Sequence, residues 1–247
     1  MNAPCLTDAA IRAHINEILP RFVAADVCAV IAAKEEGPTV GGVVRRARER
    51  AGDVIVVAGA STDGTAEIAR DCGARVVADT GKGKGEAMRR AIPLVRAPIT
   101  VFLDADGSHD PEDIPLLVEP ILLDQADHVS ASRLKGGSSE LHGGFNEFLR
   151  LAGSSFITAC INARFRCRLS DSQNGFRAIR TSVLRLLDLR ENGTTIEQEM
   201  IIKTLRGGWR MAEVPSHEHA RTHGVSHIRV WRSAPRYGCS LVKNLFF

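Results

Sequence analysis

The chain has 247 residues, 44% of them hydrophobic and 25% charged, with a mean hydropathy of −0.05. That length suits one large domain or two small ones, and the composition excludes a disordered chain, a collagen-like repeat and a membrane bundle. The net charge of +3 hides an asymmetry: residues 1–130 carry 14 Lys and Arg against 20 Asp and Glu, while residues 131–247 carry 18 against 9.

A second half that basic wants an anionic partner. With one Tyr and two Trp in the whole chain there is no base-stacking platform, so no nucleic-acid partner is expected. From the N-terminus, Thr7 to Phe22 places Ala10, Ile11, Ile15, Ile18 and Leu19 at helical spacing behind a capping Thr, which predicts a helix. Asp8, Arg12, His14 and Glu17 within it do not fit a signal peptide, so a cytoplasmic protein is expected. The longest uncharged stretch of the central region, Leu151 to Ala163, is too short and too polar to span a bilayer. The six cysteines contain no CxxC pair and read as reduced, mostly buried thiols.

Short β-branched or apolar runs follow at Val27–Ala33, Val54–Ala58, Arg75–Ala78, Ile99–Leu103 and His128–Ser132. Amphipathic segments of helical length alternate with them at Val40–Glu49, Asp63–Cys72, Gly85–Val95 and Pro111–Leu123. Such alternation predicts an α/β fold: one mostly parallel, Rossmann-like sheet flanked by helices, with ligands bound beyond the carboxyl ends of the strands. The loops at Lys34–Pro38, Gly59–Asp63, Asp79–Lys84 and Asp104–Pro111 then share one rim. Further on, the pattern predicts a helix over Phe145–Arg164, a strand at Phe176–Ile179, a helix at Ile196–Leu205 and a strand at Arg210–Val214, with no linker between them. The expected organisation is an N-terminal helical extension (1–24), a single α/β domain (25–228) and a basic amphipathic tail (229–247).

The segment Ile99-Thr-Val-Phe-Leu-Asp-Ala-Asp-Gly-Ser carries the most chemistry, because a buried strand ends there in two carboxylates, Asp104 and Asp106. A few hard oxygen ligands with room for water and phosphate suit Mg²⁺ or Mn²⁺; the same acids also serve as ordinary caps of turns and helices. Other motifs accompany them in a fixed order: Ser61-Thr-Asp-Gly-Thr, Gly81-Lys-Gly-Lys-Gly-Glu-Ala, Ala131-Ser-Arg133, Asp171-Ser-Gln-Asn-Gly-Phe-Arg177, Glu197-Gln-Glu199 and Glu213-Val-Pro, followed by Arg221-x-x-Gly-x-Ser226. Over residues 27–228 this series resembles the family 2 glycosyltransferases of GT-A fold, and within them the dolichyl- or polyprenyl-phosphate hexosyltransferases.

The resemblance implies inverting transfer of a hexose from a nucleotide-diphosphate sugar to a polyprenyl phosphate, assisted by Mg²⁺ or Mn²⁺ on Asp104 and Asp106. It implies donor contacts at Ala33, Glu35, Ser61, Asp63, Lys84, Asp104 and Ala105. It also implies phosphate or acceptor contacts at Arg133, Asp171, Gln173, Arg177, Arg221, Ser226 and His227. Among Asp171, Glu197 and Glu199, the expected base is Glu199, should the acceptor need one; a phosphate monoester is already nucleophilic at neutral pH.

The chain departs from the family pattern where Val57-Ala-Gly-Ala-Ser61 replaces Val-Asp-Asp-Gly-Ser, where Lys34-Glu-Glu36 replaces Asn-Glu, and where His227 replaces a Lys. The first departure removes two acids that the family uses on the nucleotide base, so UDP and GDP donors both stay open. His217, His219, His223 and His227 form a cluster able to bind phosphate when protonated, without the spacing of a metal site. Basic and apolar residues mix in the 145–165 helix and in the tail from Ile228, the pattern of an interfacial helix in peripheral contact with the inner face of a membrane. Two other readings stay open: a soluble hydroxyl acceptor, and a nucleotide-sugar binding protein without catalysis. A nucleotide-hydrolase loop is excluded, since neither Lys82 nor Lys84 is followed by Ser or Thr; a sugar nucleotidyltransferase lacks its glycine-rich N-terminal loop.

Overall fold

The computed structural model describes residues 8–59, 61–139, 145–221 and 230–247. In chain order the elements are α1 (Asp8–Ile18), β1 (Val27–Ala33), α2 (Gly37–Arg50), β2 (Asp53–Ala58), α3 (Thr65–Asp71), β3 (Arg75–Ala78), α4 (Lys84–Ala91), β4 (Ile99–Asp104), α5 (Ile114–Leu122) and β5 (His128–Ser132). They continue with α6 (Arg133–Gly136), α7 (Phe145–Phe165), β6 (Arg177–Arg180), α8 (Thr181–Leu186), α9 (Ile196–Arg206), β7 (Met211–Pro215) and α10 (Val230–Phe246).

Alternation of helix and strand produces the expected α/β sandwich. The seven strands form one sheet in the order β3-β2-β1-β4-β6-β5-β7, parallel throughout except for β6, which runs antiparallel to both β4 and β5. Period-two burial explains the layers. Val27, Ala29 and Ile31 of β1 face one core with α2 and α5, whereas Cys28 and Val30 face a second core with α4, α8 and α9. A third cluster joins α7, α9 and α10 through Ile157, Ile161, Ile201, Ile202, Leu241 and Leu245, and α1 packs Ile11, Ile15 and Ile18 on Leu116 of α5. Each such side chain taken out of water contributes about 1.5–3 kcal/mol.

Apart from two short helices, the elements differ from those expected at their ends, and prolines account for two of these shifts. The first helix stops at Ile18 and tightens into a 3₁₀ turn over Leu19–Arg21 around Pro20; the fourth stops at Ala91 and tightens over Ile92–Leu94 around Pro93. Similarly, Pro111–Asp113 forms a 3₁₀ turn before α5, with Asp110 accepting from the Glu112 N–H. The short helices α6 and α8 carry too few residues to show a period and were not expected.

Candidate active site

In register, Ala33, Ala58 and Ala78 end β1, β2 and β3, and Asp104 ends β4 beside Ala32. A cleft of about 300 Å³ opens beyond these strand ends, with Ala32 and Ala33 in its lining. Of the expected residues it is lined by Ala33, Lys84, Asp104, Ala105, Asp106, Arg133, Gln173 and Arg221.

Both aspartates face cations. Asp104 Oδ1 lies 2.5 Å from Lys84 Nζ, and Asp106 Oδ2 lies 3.1 Å from Arg221 Nη1. Asp106 is nearly fully buried, and its Oδ1 accepts from the N–H (3.0 Å) and hydroxyl (2.7 Å) of Ser108. The Asp104 N–H donates to His109 Nδ1, and that ring stacks on Phe176 at 5.1 Å, fixing the strand end. Burial pushes the Asp104 carboxyl up, but Lys84 above all, with Arg221, outweighs it and holds it down at about 2. For Lys84 burial works the other way, and Asp104 and Glu197 raise the ammonium above its ordinary value.

The glycines of the Gly81–Gly85 loop have a steric reason. Gly83 sits at φ +126, and a Cβ there would meet the Asn192 carbonyl at 2.7 Å; at Gly85 it would meet the Glu191 carbonyl at 2.4 Å. The loop is thereby pressed onto residues 191–193, and Lys84 is delivered between Asp104 and Glu197. Across the cleft, a Cβ at Gly175 would lie 2.6 Å from Lys84 Nζ and 3.2 Å from Asp104 Oδ2.

Several expected residues do other work. Glu199 is not in the cleft: its buried carboxylate accepts from the N–H groups of Arg190 and Glu191 and pairs with Lys203 at 2.8 Å, so it cannot act as a base there. Glu197 is the acid that α9 presents, with Oε1 at 2.9 Å from Lys84 Nζ and a buried Oε2 that has no hydrogen-bond partner. Residues two apart on a helix point about 200° apart, so only one of the two glutamates can face the site.

Arg177 is also misassigned as a phosphate donor. It is fully buried on the helix-covered side of β6, and its guanidinium donates to the Glu197 and Asn174 carbonyls. Glu35, Ser61 and Asp63 do not line the cleft but fasten its loops together. Ser61 Oγ accepts from the Glu35 N–H at 3.0 Å, Glu35 accepts from the Thr62 N–H at 2.9 Å, and Asp63 accepts from the Gly37 N–H at 2.7 Å. Glu36 and Asp79 line the cleft instead, and Asp79 Oδ1 would be 2.9 Å from a Cβ on Gly59. An acid at the end of β3 thus lies against the place where β2 lacks one. Ser226 and His227 lie outside the described residues, as does His223. The rings of His217 and His219 lie 4.9 Å apart, tilted by 57°, and His217 bonds Ser139 and the Gly136 carbonyl, away from the cleft lining.

Arg133 and Asp171 come together, but with each other. Arg133 Nε and Nη2 grip Asp171 at 2.6 and 3.0 Å, which lowers the Asp171 carboxyl despite its burial and raises Arg133. Asp171 is therefore a counter-ion and not a base. This pair stands in the wall between the acidic cleft and a second cavity of about 320 Å³, bounded by α7 and α10 and lined by Leu149, Leu151, Phe156, Ile157, Ala234 and Leu241. Arg133, Arg150, Gln173 and Tyr237 border both spaces, and Gln173 Oε1 is buried there without a partner.

Residues 28–187 match the family described as Glycosyl transferase family 2. The chain belongs to that family. It is an α/β glycosyltransferase of GT-A fold.

Among curated relatives, this family 2 chain is similar to "Glycosyltransferase AglJ" of Haloferax volcanii, 30% identical over 200 residues, which cover 80% of this chain and 64% of the relative. It thus spans less than two thirds of that protein's length. It is also similar to "Dolichyl-phosphate hexose transferase" of the same organism, 29% identical over 221 residues, covering 88% of this chain and 93% of the relative. Among solved structures, glucosyl-3-phosphoglycerate synthase from Mycobacterium tuberculosis, in complex with Mn²⁺, UDP and phosphoglyceric acid, superposes with a TM-score of 0.71. That match has 23% identity over 94% of this chain and 83% of the other, and it establishes the shared fold.

Among the described residues no three His, Cys, Asp or Glu side chains cluster as a metal site. The pair that ends β4 nonetheless fits Mg²⁺ or Mn²⁺, which bind through one or two carboxylates and complete their shells with water and phosphate. Both carboxylates face the cleft, and each already attracts a cationic side chain.

Proposed function

We propose that the enzyme transfers a hexose from a nucleotide-diphosphate sugar, bound in the acidic cleft, to a polyprenyl-type phosphate whose chain lies in the cavity between α7 and α10. The observation that carries this reading is the adjacency of the two spaces: an apolar cavity opens beside the paired aspartates, and basic Arg133 and Arg150 stand between them. An amphiphile with an anionic head and an apolar tail matches that order. The name of the haloarchaeal dolichyl-phosphate relative supports it.

In this reading an acceptor phosphate oxygen attacks the anomeric carbon, the bond to the donor diphosphate breaks, and the electron pair leaves on the diphosphate with inversion at carbon. A divalent cation held by Asp104 and Asp106 supplies Lewis-acid stabilisation of that leaving charge. Arg221, beside Asp106, adds a planar donor for phosphate. Arg150 receives the acceptor head together with Arg133, whose Nη1 has only a long 3.5 Å contact with Glu218, and Gln173 offers its buried amide at the boundary. No general base is required, because a phosphate monoester with a second pKa of about 6 is already ionised at neutral pH.

No described helix is long and apolar enough to cross a membrane. Access to a lipid-borne acceptor is instead assigned to peripheral contact with an anionic bilayer surface. Phe156 of the cavity wall is 67% exposed, and α10, which lines the same cavity, exposes Val242, Phe246 and Lys243.

The test is incubation with Mg²⁺ or Mn²⁺, a panel of UDP- and GDP-hexoses and a short polyprenyl phosphate, with labelled sugar counted in the organic phase. Metal-dependent glycolipid is the expected product. Transfer to a soluble phosphorylated acid or sugar hydroxyl, with none to the polyprenyl phosphate, overturns the acceptor assignment.

A further inference from the structure

Lys84 is held more tightly than a lysine that merely greets a phosphate needs to be. Its ammonium bridges two carboxylates from different elements, Asp104 Oδ1 at 2.5 Å and Glu197 Oε1 at 2.9 Å, and its side chain is 19% exposed. The seat is built for it: Gly83 and Gly85 are pressed onto the 191–193 backbone, and Gly175 leaves no room for a Cβ beside Nζ. One carboxylate of the bridge belongs to the pair that fits a divalent cation; the other carries a buried oxygen, Glu197 Oε2, with nothing bonded to it.

We propose that Lys84 is a built-in competitor of the divalent cation. In the cation-free enzyme its ammonium neutralises Asp104, and when the cation takes Asp104 the ammonium passes wholly to Glu197. Two cations on one carboxylate repel each other strongly in a half-buried cleft, so occupation of Asp104 by the ion requires Lys84 to leave it. Glu197 is the landing place, since its second oxygen can accept the bond that Asp104 gives up. Metal binding thereby moves the lysine and opens the floor of the donor site. The proposal rests on reading Asp104 and Asp106 as the metal pair.

The experiment titrates the full chain with Mn²⁺ alone, without nucleotide or acceptor, and follows free Mn²⁺ by electron paramagnetic resonance. Lys84→Met removes the competitor and is expected to tighten Mn²⁺ binding about tenfold, the size of one charge-assisted hydrogen bond. Glu197→Gln removes the landing place and is expected to weaken binding several-fold. In the double variant the Glu197 effect is expected to vanish, because Glu197 acts through Lys84. Equal weakening by Glu197→Gln in both backgrounds, which plain loss of negative charge produces, overturns the proposal, as does unchanged or weaker binding in Lys84→Met. Lys84→Gln serves the same purpose if the Met variant does not fold. If the unmodified protein shows no Asp104-dependent Mn²⁺ binding, the metal-pair reading falls and this proposal with it. Failure to form glycolipid despite the expected Mn²⁺ series touches only the acceptor assignment.

Discussion

The two cavities share a wall yet hold their charges in opposite ways. In the acidic cleft, Asp104 and Asp106 each meet a cation along one edge, contacts that an incoming ion or phosphate is able to exchange. In the wall of the apolar cavity, Arg133 and Asp171 are locked by two parallel bonds, and each neutralises the other. The first arrangement suits chemistry, where charge develops and must be answered. The second suits a partition, where buried charge keeps a loop in place and only the rim reads a ligand.

The sharpest way to break this contrast is Asp104→Asn, for which turnover is expected to fall about a thousandfold with the thermal transition retained. A drop of less than tenfold in initial rate removes Asp104 from the chemistry. Next comes Asp171→Asn, which leaves the buried Arg133 charge with only the longer 3.5 Å contact to Glu218. The expected loss is about 3–5 kcal/mol of folding stability, read from the urea midpoint; a stable variant with impaired turnover alone makes Asp171 a participant after all.

A smaller effect belongs to Gly238→Leu. A Cβ there meets nothing within 4 Å, and Gly238 lines the apolar cavity. Several-fold higher KM for a polyprenyl phosphate, with donor KM unchanged, sharpens the division between the two spaces; a rise in donor KM blurs it.

The smallest effect lies outside both cavities, at Asp127. Hydrogen bonds from the Arg210 side chain, opposed by burial and helped by the Arg210 N–H and the Arg180 charge, hold this carboxyl at about 2. Its folded value is below its unfolded one, so its stabilisation is present above about pH 4 and is lost as the pH falls toward 2. Denaturation curves between pH 5 and 2 should flatten in Asp127→Asn, and catalytic pH dependence near neutrality should not change.

The layered fold was legible because strand and helix periods alternate cleanly up to β5, and the ends of β1, β3 and β5 fell where the apolar runs end. Asp104 and Asp106 were legible for a related reason: a buried strand that stops in acids must present them at its carboxyl edge. The glutamates of α9 were not separable, because the sequence does not state the rotational phase of a helix about its axis; that phase is set by packing of Ile196, Met200, Ile201 and Ile202. Arg177 misled for a parity reason. Phe176 faces His109 and the core shared with α2, so Arg177, its neighbour on the strand, has to point to the other side of the sheet. Ser61, Glu35 and Asp63 carry the chemistry of ligands, yet backbone N–H groups of adjoining loops reach them first.

One reversed strand has an architectural effect of its own. Because β6 runs against its neighbours, the polypeptide arrives at the carboxyl edge of β4 through residues 171–176 and departs from it downward, whereas β1 to β4 climb to that edge and turn over it. Asn174 and Gly175 therefore form a seam independent of the four turns that follow β1 to β4. Lengthening that seam by a residue or two reshapes the boundary beside Gln173, which borders both cavities, while the turns after β1 to β4 keep their lengths.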